Sequence, residues 1–336
     1  MRRRRSRPRP LATAAALCAA VAILGGALVF GPHTGEGRTV TVERGASLWD
    51  IGRALDDSGA VSSGALFALA AKLSGKGGRM QSGTYRFPDD LTMAGIIDAI
   101  AAGHYQVEVW ITIPEGSTTR TIARILAARL RLSDTAFLRL TRDPSLLRSH
   151  GIRASSFEGY LFPDTYLFRV DETALSALEK MHARFRASVT ADMRARARTM
   201  RRSFHEILTM ASIVEGETRL GSERARVAGV YYNRLARGMR LQADPTVQYI
   251  IPDGPRRLLY RDLRIDSPYN TYKHRGLPPG PINNPGLAAI RAALDPEKHE
   301  YIFFVADGTG GHRFSRTAAE HERAVRDYRA LQREAR

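Results

Sequence analysis

Two glutamates lie two residues apart in the stretch SFHEILTMASIVEGET (203–218), and one of them is poorly placed for an ordinary surface carboxylate. Ser203 followed three residues later by Glu206 forms a capping box, so the spacing predicts a helix from Phe204 to about Glu217. That helix is mostly apolar and should be buried. At about 100° per residue, Glu217 falls on the stripe of Met210, Ile213 and Val214, while Glu215 projects to the other side with Leu208 and Ala211. A carboxylate among aliphatic side chains loses hydration, which raises its pKa and suits it to donate a proton near neutral pH. The competing expectation is that Glu217 is neutralised by Arg219, Arg224 or Arg226.

Downstream lie NRLARGMRLQADPTVQY (233–249) and SPYNTYKHRGLPPGPINNPG (267–286), which read as loops building a rigid polar cleft. Gln242, Thr246, Asn270 and Thr271 offer hydrogen bonds suited to sugar hydroxyls and amides, and Tyr269 and Tyr272 can stack on sugar faces. Asp244 opens the Asp-Pro pair that fixes one of these loops. His299, His312 and His321 with Asp307 mimic a metal site weakly. The HRF run around His312 reads better as a strand, so no metal is expected. No phosphate-binding loop, nucleophile elbow or dinucleotide fingerprint precedes a suitable helix, and no cofactor is expected.

These residues need elements to hold them, and 336 residues with 43% hydrophobic content suffice for two to three ordinary domains. The single cysteine, Cys18, excludes an internal disulfide and a thiol redox pair. The net charge is +17, with six arginines in the first nine residues. Directly after them, residues 11–30 (LATAAALCAAVAILGGALVF) carry no charge, and twenty residues of helix span about 30 Å, the thickness of a bilayer core. Arginines on the N-terminal side keep residues 1–10 cytoplasmic and send the rest across. The expectation is a single-pass protein of the inner (cytoplasmic) membrane with its body outside, which disfavours nucleic acid as a partner. A cleaved signal peptide is the alternative, although no small-x-small site follows the apolar run.

Beyond a tether at 32–38, VERGASLWDIGRAL (42–55) reads as a strand feeding a helix capped by Ser47, and the pattern recurs 71 residues later as ITIPEGSTTRTIARIL (111–126). Gly45 matches Gly116, Ser47 matches Thr118, and Ile51 matches Ile122. Trp49, at helical spacing with Ile51 and Leu55, is expected in the core, with a sugar-stacking platform as the alternative. Between the copies, 83–87 reads as a strand and 92–102 as a helix capped by Thr92 and closed by Gly103. A long Arg- and Ala-rich helix is expected over 172–201. Each copy resembles the LysM module, a strand–helix–helix–strand domain whose members often bind N-acetylglucosamine-containing glycans.

The series ASIVEGET, NRL, GMRLQADPTVQY, YNTY, GLPPGPINNPG and YIFFVADGTGGHRF, in this order, resembles the YceG-like family of endolytic murein transglycosylases. The resemblance implies an α+β protein: an N-terminal transmembrane helix, LysM-like β-α-α-β modules, then a mixed α/β catalytic domain. The corresponding boundaries are 1–10 (tail), 11–31 (anchor), 32–38 (tether), 39–110 (first module with the following hairpin and helix region), 111–155 (second copy) and 156–336 (catalytic domain). It implies non-hydrolytic cleavage of the β-1,4 bond between N-acetylmuramic acid and N-acetylglucosamine inside peptidoglycan strands, leaving 1,6-anhydro ends. Glu217, the second glutamate of the SIVExE motif, would be acid and then base. Gln242, Asp244, Thr246, Tyr269, Asn270, Thr271 and Tyr272 would bind substrate. Glu158, in FEGYLFPDTYLF (157–168), would help electrostatically. Partners implied are glycan strands, the bilayer, and peptidoglycan synthases or penicillin-binding proteins, with a role in terminating or trimming nascent strands. The alternatives are a membrane-tethered glycan-binding scaffold and a hydrolytic muramidase.

Overall fold

The computed structural model describes residues 37–252, 254 and 256–334. The predicted membrane segment and basic tail lie outside the described residues. Among those that are described, no helix is long and apolar enough to cross a membrane. The described chain forms two compact units, residues 37–109 with 167–171, and residues 110–166 with 172–334.

In the first unit, β1 (Arg38–Val42) pairs antiparallel with β2 (Gly83–Phe87), with Val40 opposite Tyr85. Alternation sends Val40, Val42, Tyr85 and Phe87 to one buried face. Helices α1 (Leu48–Asp57) and α2 (Gly64–Leu73) lie between these strands in sequence. Ile51, Leu55 and Phe67 from those helices, with Met93, Ile96 and Ile100 from α3 (Met93–Ala102), complete the core. Thr92 caps α3 and Gly103 closes it in the left-handed conformation, as the sequence predicts. Trp49 corrects one expectation, for it is 62% exposed while its neighbour Leu48 packs on the core. Ile51 and Leu55 are buried as their spacing predicts, and Trp49 lies outside that stripe.

Strand β3 (Glu108–Thr112) pairs with β4 (Thr165–Arg169), and between them come α4 (Thr119–Arg129), α5 (Asp134–Leu140) and α6 (Pro144–Ser149). The repeat reaches the backbone. Gly45 and Gly116 both adopt positive φ (80° and 75°), each turning the chain from a strand toward a helix capped by Ser47 or Thr118.

The helix expected over 172–201 is two helices, α7 (Ala174–Ser188) and α8 (Ala191–Thr199). Val189 takes an extended conformation and Thr190 caps the second. Helix α9 (Phe204–Glu217) has the predicted bounds, and both arms of the Ser203–Glu206 capping box are formed. Every residue from Ile207 to Val214 is buried. Around α9 pack α10 (Arg224–Ala236), α11 (Asp244–Ile250) and α12 (Leu287–Leu294). The hairpin β5 (Phe303–Ala306) and β6 (His312–Ser315) and helix α13 (Ala318–Glu334) end the described chain. Helix α11 occupies a stretch the sequence suggested was loop. Asp244-Pro245 begins that helix, with proline in its first turn where the missing N–H costs nothing.

Candidate active site

The C-terminal end of α9 delivers Glu215 and Glu217 to different surroundings. Glu215 is ion-paired with Arg224 (2.8 Å) and accepts the Gly286 N–H at Oε2 (3.0 Å). Burial raises its pKa, against the pull of the Gly286 N–H and Arg224. Glu217 is half-buried, and Oε1 accepts the Tyr231 hydroxyl from α10 at 2.5 Å. Two of the three arginines named as possible neutralisers are otherwise engaged, Arg224 with Glu215 and Arg226 with Glu297 at 3.0 Å, and Arg219 makes no ion pair with Glu217. Desolvation pushes the Glu217 carboxyl up to about 7, the charge of Asp244 adds to the rise, and the Tyr231 bond and Arg234 oppose it.

Arg234 brings a positive charge to the surroundings of Glu217. Its guanidinium is buried and donates to the carbonyls of Ile302 (2.6 Å) and Leu241. It therefore acts on Glu217 as a fixed charge at a distance, favouring the ionised form. Tyr231 and Arg234 sit three apart on α10 and share a face, a spacing visible in YYNR (231–234) but not singled out by sequence reasoning. Gly216 lets α11 approach. A Cβ there would stand 2.7 Å from Cβ of Pro245, which brings Asp244 beside the end of α9. Asp244 is exposed and its Oδ1 accepts the Tyr272 hydroxyl at 2.5 Å.

Gln242 is the exposed residue between buried Leu241 and Ala243, at φ 50°, an uncommon conformation for a residue with a side chain. Thr246 and Thr271 are buried behind it. Thr271 Oγ1 accepts the Ala243 N–H (3.0 Å), Thr246 Oγ1 donates to the Ala243 carbonyl (2.7 Å), and the two hydroxyls lie 2.9 Å apart. Asn270 is also buried. It donates to the carbonyls of Leu263 and Ile265 and accepts the Tyr272 N–H. These three residues hold the loop that displays Gln242, Asp244 and Tyr272.

Glu158 belongs to a second group. Buried, it accepts the Thr119 N–H (2.9 Å), the Thr119 hydroxyl (2.9 Å) and Asn284 Nδ2 (3.0 Å), which seats it at the N-terminus of α4. Burial pushes its carboxyl up to about 7 in spite of those donors. Tyr269 is half-buried, its ring centroid 5.1 Å from that of Tyr249. Asn284, not among the expected site residues, receives the N–H groups of Gly159 and Leu161 (2.9 Å each) and so joins the 158–161 turn to the 281–286 loop.

The histidines have separate partners: His312 with Glu223 (2.7 Å), His299 with the Arg226 carbonyl (2.9 Å), and His321 stacked on Phe303. Among the described residues no group of three or more potential ligands could hold a metal ion.

Fold and site together define an α+β protein in which a glutamate in no ion pair lies half-buried at the end of a buried helix. The chain belongs to the YceG-like family, whose model matches residues 40–327. It is similar to the endolytic murein transglycosylase of Bacillus subtilis (strain 168), 33% identical over 328 residues that cover 91% of each chain. It is 30% identical over 321 residues to the endolytic murein transglycosylase of Streptococcus pneumoniae serotype 2, covering 86% of this chain and 58% of that protein. A crystal structure of a YceG-like protein from Listeria monocytogenes superposes with a TM-score of 0.60 at 34% identity, covering 86% of this chain and 98% of that one.

Proposed function

We propose that this chain is a lytic transglycosylase that cleaves the β-1,4 bond between N-acetylmuramic acid and N-acetylglucosamine within peptidoglycan strands, with Glu217 as acid and then base. The observation that carries the proposal is the state of Glu217: half-buried, paired with no cation, hydrogen-bonded to a phenol, and with its carboxyl pushed up to about 7. With its pKa close to neutral pH, such a group can give up a proton and take it back within each turnover.

In the first step Glu217 donates its proton to the glycosidic oxygen as the C1–O bond breaks and positive charge develops on the muramic sugar. In the second, the C6 hydroxyl of that sugar attacks C1 and gives its proton to the Glu217 carboxylate, which restores the acid and closes the 1,6-anhydro ring. No water enters. Glycosidases that use water ordinarily employ two carboxylates. Here the nucleophile is tethered to the reacting carbon, and oriented intramolecular attack is worth effective concentrations of about 10⁵–10⁸ M. Gln242, Asp244 and Tyr272 line the approach on the exposed side, where an amide, a carboxylate and a hydroxyl suit a sugar that becomes cationic.

The strand–helix–helix–strand order of the first unit supports a LysM-like glycan-holding role for residues 39–110, and the uncharged run 11–30 supports anchoring in the inner membrane with the catalytic part outside. A hydrolytic muramidase is the second reading, favoured by one observation. The carboxylate of Asp244 lies within electrostatic reach of Glu217, where it would activate water.

The Glu217→Gln variant tests the assignment. It should release no anhydro products while still being pulled down by peptidoglycan. Undiminished release would remove Glu217 from the chemistry, whereas a wild-type chain that binds peptidoglycan and releases nothing would leave a binding scaffold as the reading of this domain.

A further inference from the structure

The carboxyl of Glu217 would swing freely at the end of α9 were it not for the phenol of Tyr231. That ring is buried, packs edge-on against Phe304 at 5.9 Å, and has the Arg234 guanidinium 6.0 Å from its centroid. Its hydroxyl reaches from α10 to Oε1 of Glu217 at 2.5 Å, so the bond ties the acid to a neighbouring helix.

We propose that Tyr231 is the positioning residue of the reaction, holding Oε1 of Glu217 so that the proton is delivered and recovered through Oε2. The proposal rests on the reading of Glu217 as the acid. A phenol that donates to Oε1 makes that oxygen an acceptor in both states of the carboxyl, so in the neutral acid the proton sits on Oε2. Burial and the charge of Glu217 push the Tyr231 phenol well above its usual range, so it stays a donor throughout the cycle. When Oε2 gives its proton away, the new anion is already bonded, and no reorganisation is needed at that moment.

The groups facing Glu217 set the sign of the test. Tyr231 and Arg234 from α10 favour the anion, whereas burial and Asp244 from α11 favour the neutral acid, and the Asp244 carboxylate is itself held by Tyr272. Removing the Tyr231 hydroxyl therefore raises the pKa of Glu217. Activity needs the protonated acid, so the alkaline limb of the pH–rate profile moves upward.

The experiment compares full-length wild-type chain, Tyr231→Phe and Glu217→Gln on peptidoglycan strands across the pH range. Phenylalanine keeps the buried ring and so the packing. For Tyr231→Phe, kcat should fall about 10- to 100-fold with KM nearly unchanged, and the alkaline limb should rise by about one pH unit. Incorporation of 3-fluorotyrosine at 231, a stronger donor of nearly the same shape, should move the limb the other way. An unmoved limb in both variants, or a uniform loss with raised KM, overturns the inference while an inactive Glu217→Gln keeps the acid assignment. An active Glu217→Gln overturns both.

Discussion

Glu215 and Glu217 leave the same helix two residues apart, and their partners separate their chemistry. Arg224 and the Gly286 N–H tie Glu215 down as a structural carboxyl, while Glu217 receives only a phenol. Periodicity made Glu217 the odd carboxylate because of its aliphatic stripe. In the structure both sides of α9 are buried, and the guanidinium is what distinguishes the two. Arg224 arrives from the next helix, so no spacing within α9 could have revealed the pairing. Tyr231 escaped notice for the same reason. A carboxyl raised from 4.5 to about 7 binds its proton more tightly folded than unfolded. Its contribution to stability is complete below the unfolded pKa and is lost as pH climbs through about 7. Glu217→Gln, which carries no charge, should therefore melt above wild type at pH 8, by roughly 1–3 kcal/mol after allowance for partial solvent access. The gap should close near pH 4. A variant less stable than wild type at pH 8 would contradict the desolvated state of this group.

At the level of elements, the site depends on where α9 stops and how closely α11 can approach. The first was legible, because the Ser203–Glu206 capping box fixes the start of α9 and an uninterrupted apolar run carries it to Glu217. The second was not. Asp244-Pro245 was read as a loop signal when it marks a helix start, and α11 owes its place to the absent Cβ of Gly216. The break between α7 and α8 was equally hidden inside a run of good helix formers, with only the Val189-Thr190 pair to announce it. Gly216→Ala separates positioning from folding. Alanine favours the helix by about 1 kcal/mol, yet its Cβ would meet Pro245 at 2.7 Å and displace Asp244. The expected outcome is a melting temperature near wild type with kcat reduced about 10-fold or more. Full activity with unchanged kinetics would show that the spacing between α9 and α11 does not matter.

For the molecule as a whole, the repeat between 42–55 and 111–126 was readable because its glycines and caps recur, and both glycines adopt positive φ. Trp49 was misjudged because one residue of offset on a helix exchanges a buried face for an exposed one. Sequence also carries the anchoring proposal, which flotation with lipid vesicles checks. Full-length chain should float and resist alkaline carbonate extraction, whereas residues 32–336 should remain in the soluble fraction. Full-length chain that stays soluble would contradict a bilayer-spanning segment at 11–30. The central claim is that one acid suffices because the sugar supplies its own nucleophile, and the mass of the products released by wild-type protein tests it most directly. Muramic ends should be lighter by one water than hydrolysed ends, and products that carry the elements of water would show that water, not the C6 hydroxyl, is the nucleophile.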